Sequence, residues 1–231
     1  MIVNEEDTIT WMIAPEEDLS PIQSPSTGPS KLELQDENYD TGLGTVNVTY
    51  IPGELSIYEN GLLLSSGLSS KILATSDKLV SIVSGKSQHK FHIRPDGATV
   101  FQIEEGWVYV SNSEANENDH GEDGGVGALY FDTQGNVINY SRLLDNTKNN
   151  CSGGKSPWNA WLSCDDYENG SIFEVDPTGK VPPNETIIGD LGGGGHFESL
   201  AYDIRQFPTI HFYVTEDQED GPSRNLLLIL F

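Results

Sequence analysis

Apolar residues fall in short runs. From about residue 43 these read KILATS, KLVSIVSG, KFHIRPDG, WVYVSN, ALYFDTQG, AWLSCDD, SIFEVDPTG and HFYVTED. Gly, Asn and Asp break them about every ten residues, which is strand and turn punctuation with little helical periodicity. The pattern predicts an all-β domain. Residues 1–30 differ: Glu5, Glu6, Asp7, Glu16, Glu17 and Asp18 occur with no Lys or Arg, followed by SPIQSPSTGPS. Closely spaced Pro and Ser defeat helix and strand alike. The expected organisation is a disordered acidic leader over 1–30 and one β domain over 31–231.

Three of the runs share a form. WVYVSNSE, NAWLSCDD and HFYVTED each end in a hydroxyl residue followed by acids, and Ser111, Ser163 and Thr215 are equally spaced. A second pair, ALYFDTQGNV and SIFEVDPTGKV, aligns Asp132 with Asp176 and Gly135 with Gly179. A repeat of about 50 residues suits the four-stranded blades of a β-propeller better than a sandwich, which has no reason to repeat. The domain would hold only about four such blades. It also stops in the apolar run RNLLLILF, where a strand would normally turn and pair onward. The expectation is therefore a partial propeller, or a fragment of a longer one.

Charge narrows the partners. Asp and Glu number 36 against 12 Lys and Arg, a formal net charge of −24. Such a surface attracts cations and repels polyanions, so nucleic acid is excluded as a partner. No stretch approaches the length of a membrane span, and no basic region followed by an apolar run marks a secretion signal.

If the three runs are strands of successive blades, their terminal acids gather near one rim: Glu114, then Asp165 and Asp166, then Glu216 and Asp217. Converging carboxylates repel unless a cation compensates, and calcium takes six to eight oxygen ligands. The alternative is a set of separate solvated loops. Glu198 follows four glycines and opens a strand, a suitable position for a central site. Cys151 precedes Ser152, Gly153 and Gly154, where the chain can bend and turn a thiol toward acids; a thiolate surrounded by carboxylates needs a metal beside it. Cys164 follows Trp161 and Leu162 and reads as a small apolar strand residue. A disulfide between the two is the competing reading.

WVYVSNSE, GGVGALYFD, NCSGGKSPWNAWLSCDD with SIFEVDPTG, and GGGGHFESLAYD leading to FYVTED together resemble the PhoX-type alkaline phosphatases and their propeller relatives. The resemblance spans about residues 60 to 221, and its most specific element is Asn-Cys-x-Gly-Gly-x-x-Pro-Trp. It implies a propeller with an iron and calcium cluster that hydrolyses small phosphate monoesters, and a secreted or periplasmic setting. It implies metal ligation by Glu114, Cys151 and Glu198; beside these, Asp165, Glu216 and Asp217 are the expected calcium-side carboxylates and Asp166 a further expected metal residue. Asp165 and Asp166 stand where the family usually has two glutamates, and His196 where it usually has arginine. A non-catalytic, calcium-stabilised propeller that binds a partner on its rim is the alternative function.

Overall fold

The computed structural model describes residues 2–3, 8–13, 55–65, 68–116, 123–192, 195–217 and 225–230. Two compact units divide the chain, Met1–Thr10 with Ile72–Phe231, and Trp11–Lys71. Most of the expected disordered leader lies outside the described residues. Within it, β1 (Ile2–Val3) and β2 (Thr8–Ile13) pair antiparallel, Ile2 opposite Thr10.

In the smaller unit, β3 (Leu55–Glu59) and β4 (Leu62–Ser65) form a hairpin. Its turn residues Asn60 and Gly61 have φ of 51° and 80°, the left-handed pair that a two-residue hairpin turn requires and that Asn-Gly readily adopts. The next strand, β5 (Ser69–Thr75), carries Ser70, whose hydroxyl and carbonyl accept the Asn60 amide at 2.9 Å each.

In the larger unit a hairpin of β6 (Leu79–Ile82) and β7 (Gly85–Lys90) precedes three antiparallel meanders. The first runs β8 (Pro95–Ile103), β9 (Gly106–Ser113), β10 (Gly124–Phe131) and β11 (Val137–Thr147). The second runs β12 (Asn150–Lys155), β13 (Trp161–Asp165), β14 (Ile172–Val175) and β15 (Asn184–Glu185). A short helix, α1 (Ile187–Gly192), leads to the third: β16 (Phe197–Asp203), β17 (Ile210–Glu216) and β18 (Asn225–Leu230). Asn225–Leu230 of the apolar run thus form a paired strand, with Leu230 opposite Ile210. The protein is all-β. The described residues close no ring, and none of their helices is long and apolar enough to cross a membrane.

The sheets stack face to face, which explains the densely apolar runs. Phe101, Val108, Val110, Val126, Ala128 and Leu144 of the first sheet pack against Trp161 and Val175 of the second. The other face of the second sheet, Leu162, Cys164 and Ile172, packs against Phe197, Leu200, Phe212 and Val214 of the third. Every residue of β13 is buried, because both its faces are covered. Each large apolar side chain withdrawn from water in this way contributes about 1.5–3 kcal/mol.

The third-to-fourth strand turns repeat as the sequence suggests. Asp132 accepts from the backbone N–H groups of Gln134 and Asn136, and Asp176 from those of Thr178, Lys180 and Val181. Gly135 and Gly179 sit at φ of 80° and 68°. The first strands of the three sheets, β8, β12 and β16, lie side by side. They approach at glycines: a Cβ on Gly97 would fall 2.4 Å from Ser152 Cα, and one on Gly154 would fall 2.2 Å from the Leu200 carbonyl oxygen.

Candidate metal centre

A repeated backbone device precedes each first strand. Arg94, Asn149 and His196 take left-handed φ of 46°, 46° and 55°. Their carbonyls accept the N–H groups of Glu114, Asp166 and Asp217, each at 2.9 Å. The ladder to the second strand then breaks, between Pro95 and Ala98, between Asn150 and Gly153, and between Phe197 and Ser199. Such irregularities re-aim side chains. The second residues of the three strands, Asp96, Cys151 and Glu198, occupy these breaks.

They meet. Cys151 Sγ lies 3.3 Å from Asp96 Oδ2 and 3.0 Å from Glu198 Oε2, close enough for its proton to be donated to either carboxylate. Ligand atoms of Asp96, Glu114 and Cys151 all fall within 4.8 Å of one another. Cys151 is buried and the carboxylates are half-buried. Burial pushes the Cys151 thiol well up, reinforced by its hydrogen bond to Glu198 and by the charge of Asp96. Burial also raises Glu114; the Arg94 guanidinium opposes this, and Asp96, Asp166 and Glu198 add to it. Arg94 Nη2 stands 3.5 Å from Glu114 Oε2.

The family model for alkaline phosphatase PhoX matches residues 78–224. The chain belongs to the PhoX alkaline phosphatase family. The matched segment contains the first two meanders, the strands β16 and β17 of the third, and every candidate residue named above. No curated protein and no solved structure matches the chain.

PhoX enzymes are metal-dependent, and the donor set here suits metal. A thiol with three carboxylates in reach combines a soft ligand suited to transition metals with oxygens suited to hard cations. Clustered acids on a half-buried rim also repel one another, a cost that a bound cation offsets.

Of the residues expected from the sequence, Glu114, Cys151 and Glu198 come together. Asp166 stands beside them, its Oδ1 3.2 Å from His196 Nδ1, and its charge acts on Glu114. Asp165, Glu216 and Asp217 are not in the group. The Asp165 carboxyl is buried, accepts from Asn150 Nδ2 at 2.7 Å, and is pushed up to about 8, chiefly by burial. Glu216 is buried at the matching ladder position, opposite Phe197 as Asp165 is opposite Asn150, and Asp217 is exposed. The disulfide alternative fails, since both cysteines are free thiols.

Asp96 is the residue that sequence reading missed. In KFHIRPDG it looks like turn punctuation. What it shares with Cys151 and Glu198 is a place two residues after a left-handed position, which the structure shows and the residue types do not announce. The repeat hides this, because the loop between the first and second strands differs in length from sheet to sheet.

Proposed function

We propose that this PhoX member is a phosphomonoesterase whose centre is formed by Asp96, Glu114, Cys151 and Glu198 and loaded with iron and calcium. The observation that carries the reading is the Cys151 thiol set between Asp96 and Glu198, on first strands of three successive sheets, within the matched segment. When bound, the cations neutralise charge on the phosphoryl group and its leaving oxygen. The chain's own contribution is positional: backbone breaks aim three donors at one point, and hydrogen bonds to Asp96 and Glu198 hold the Cys151 thiol, whose proton passes to solvent when the thiolate ligates. The Arg94 guanidinium, 3.5 Å from Glu114 Oε2, opposes the rise that burial gives this carboxyl and favours its charged form.

We further read the three meanders as successive blades of a β-propeller. Support comes from the adjacency of β8, β12 and β16, the arrangement of innermost blade strands, and from the repeated turns.

The test is hydrolysis of p-nitrophenyl phosphate by purified protein supplied with iron and calcium, alongside metal analysis. Turnover well above buffer is expected, and turnover equal to buffer overturns the enzymatic reading. Cys151→Ser should lose bound iron and Asp96→Asn should retain less of it, each with at least about a tenfold fall in rate, while Cys164→Ala keeps both iron and activity. A non-catalytic calcium-binding domain would instead gain thermal stability from calcium, bind no iron and hydrolyse nothing.

A further inference from the structure

Asn112 lies near the end of β9, with none of its surface exposed. A wholly buried amide must have its two donors and two acceptor sites satisfied. Every one of these bonds crosses to the second sheet. Nδ2 donates to the Ser152 carbonyl at 2.7 Å and to the Cys151 carbonyl at 3.3 Å. Oδ1 accepts from Trp161 Nε1 at 2.8 Å and from Ser163 Oγ at 3.0 Å.

The two carbonyls are those at the break in the ladder between Asn150 and Gly153, where β13 supplies no regular partner. The amide of one sheet therefore takes the place of ladder donors in the next. Trp161 and Ser163, held rigidly on the buried strand β13, fix the amide plane itself. A carbonyl and a side chain on the same residue share one Cα, so holding the Cys151 peptide fixes the direction of its Cα–Cβ bond. Sγ then faces Asp96 and Glu198.

The fold alone does not demand this amide. The matching position of the second sheet, between Ser163 and Asp165 as Asn112 is between Ser111 and Ser113, holds Cys164, which packs against apolar neighbours. The amide stands at the step that carries the thiol. We propose that Asn112 is a positioning residue that holds the Cys151–Ser152 backbone so that Sγ points into the metal centre. This rests on the metal reading above.

The probe is cobalt(II) titrated into metal-free protein, since ligation by a thiolate produces a near-ultraviolet charge-transfer band. Wild type should show a saturable band and Cys151→Ser none. Asn112→Asp keeps the shape and the acceptor oxygen but sets a second oxygen against the two carbonyls. In samples that circular dichroism shows to be folded, it should bind cobalt at least about tenfold more weakly, with a reduced band at saturation. Tyr140→Phe, which disturbs a buried hydrogen bond elsewhere, should leave band and affinity unchanged, separating aim from stability. Trp161→Phe removes one hold on Oδ1 and should give an intermediate loss, readable even if the Asn112 variants do not fold. Wild-type band and affinity in folded Asn112→Asp, or in Trp161→Phe where that variant fails to fold, overturn the positioning role alone. Absence of the band in wild type overturns the metal reading and this role together.

Discussion

Residue by residue, burial sets what each polar group can do. Cys151 and Cys164 are both buried, yet only the first faces acids, because the ladder break turns it out of the sheet while Cys164 stays in regular β13. His92 is the counterpart without a site. Its ring Nε2 lies 2.8 Å from Ser111 Oγ and Nδ1 3.1 Å from Tyr140 Oη, and burial, with the nearby Arg142 charge, holds its pKa well below the ordinary 6.5. Well above pH 6.5 the ring is neutral in folded and unfolded chains alike and adds no pH dependence. Below it the unfolded chain takes up a proton that the folded chain refuses, so stability must fall as pH drops through that window. The loss is up to about 1.4 kcal/mol per pH unit. His92→Gln should cost stability at about pH 7.5 but lose less between about pH 6.5 and 5.5 than wild type, by denaturant midpoints. Equal slopes in the two proteins would show that His92 is not the cause.

Among elements, the decisive feature is the close approach of first strands. Gly154 lets β12 meet β16, and Cys151 and Glu198 ride on those two strands. Gly154→Ala would place a Cβ 2.2 Å from the Leu200 carbonyl oxygen and 3.1 Å from Leu200 Cδ1. Backbone cannot yield as a side-chain tip can, so the strands must separate. The expected cost is about 1–3 kcal/mol in urea unfolding, with weaker iron retention because Sγ and Glu198 move apart. Unchanged stability would mean that the two strands do not touch here. The turns were legible in the sequence, since the Asp132–Gly135 and Asp176–Gly179 geometries arise from local hydrogen bonds and local φ. The equal spacing of Ser111, Ser163 and Thr215 also survives as one ladder position, opposite Ala98, Gly153 and Ser199. It slips by one at the acids: Asp217 matches Asp166 and Glu114 through their shared backbone bonds, because the third break is shorter.

For the molecule as a whole, a net charge of −24 makes self-repulsion a standing term in stability. The centre adds four acidic or thiol groups to one rim. Salt screens charges farther apart than about 10 Å at 0.1 M. The metal-free protein should therefore gain stability between about 0.02 and 0.5 M sodium chloride, roughly 2–4 °C in melting temperature per kcal/mol recovered. Calcium at matched ionic strength should raise the melting temperature further. A melting temperature flat in salt would mean that the excess acid is too dispersed to matter.

The sequence by itself determined the all-β class, the turns and the family, because these depend on local pattern and motif order. It also marked Glu114, Cys151 and Glu198, through motifs that resemble the family. Only the tertiary structure decided that Asp96 joins them, that Asp165 turns inward to Asn150, and that Asn112 reaches the Cys151 backbone. Each depends on register, and a shift of one residue at a ladder break sends a side chain to the opposite face. Such shifts arise from packing between sheets, so strands with nearly the same sequence form can aim their acids into the core, at the rim or into solvent.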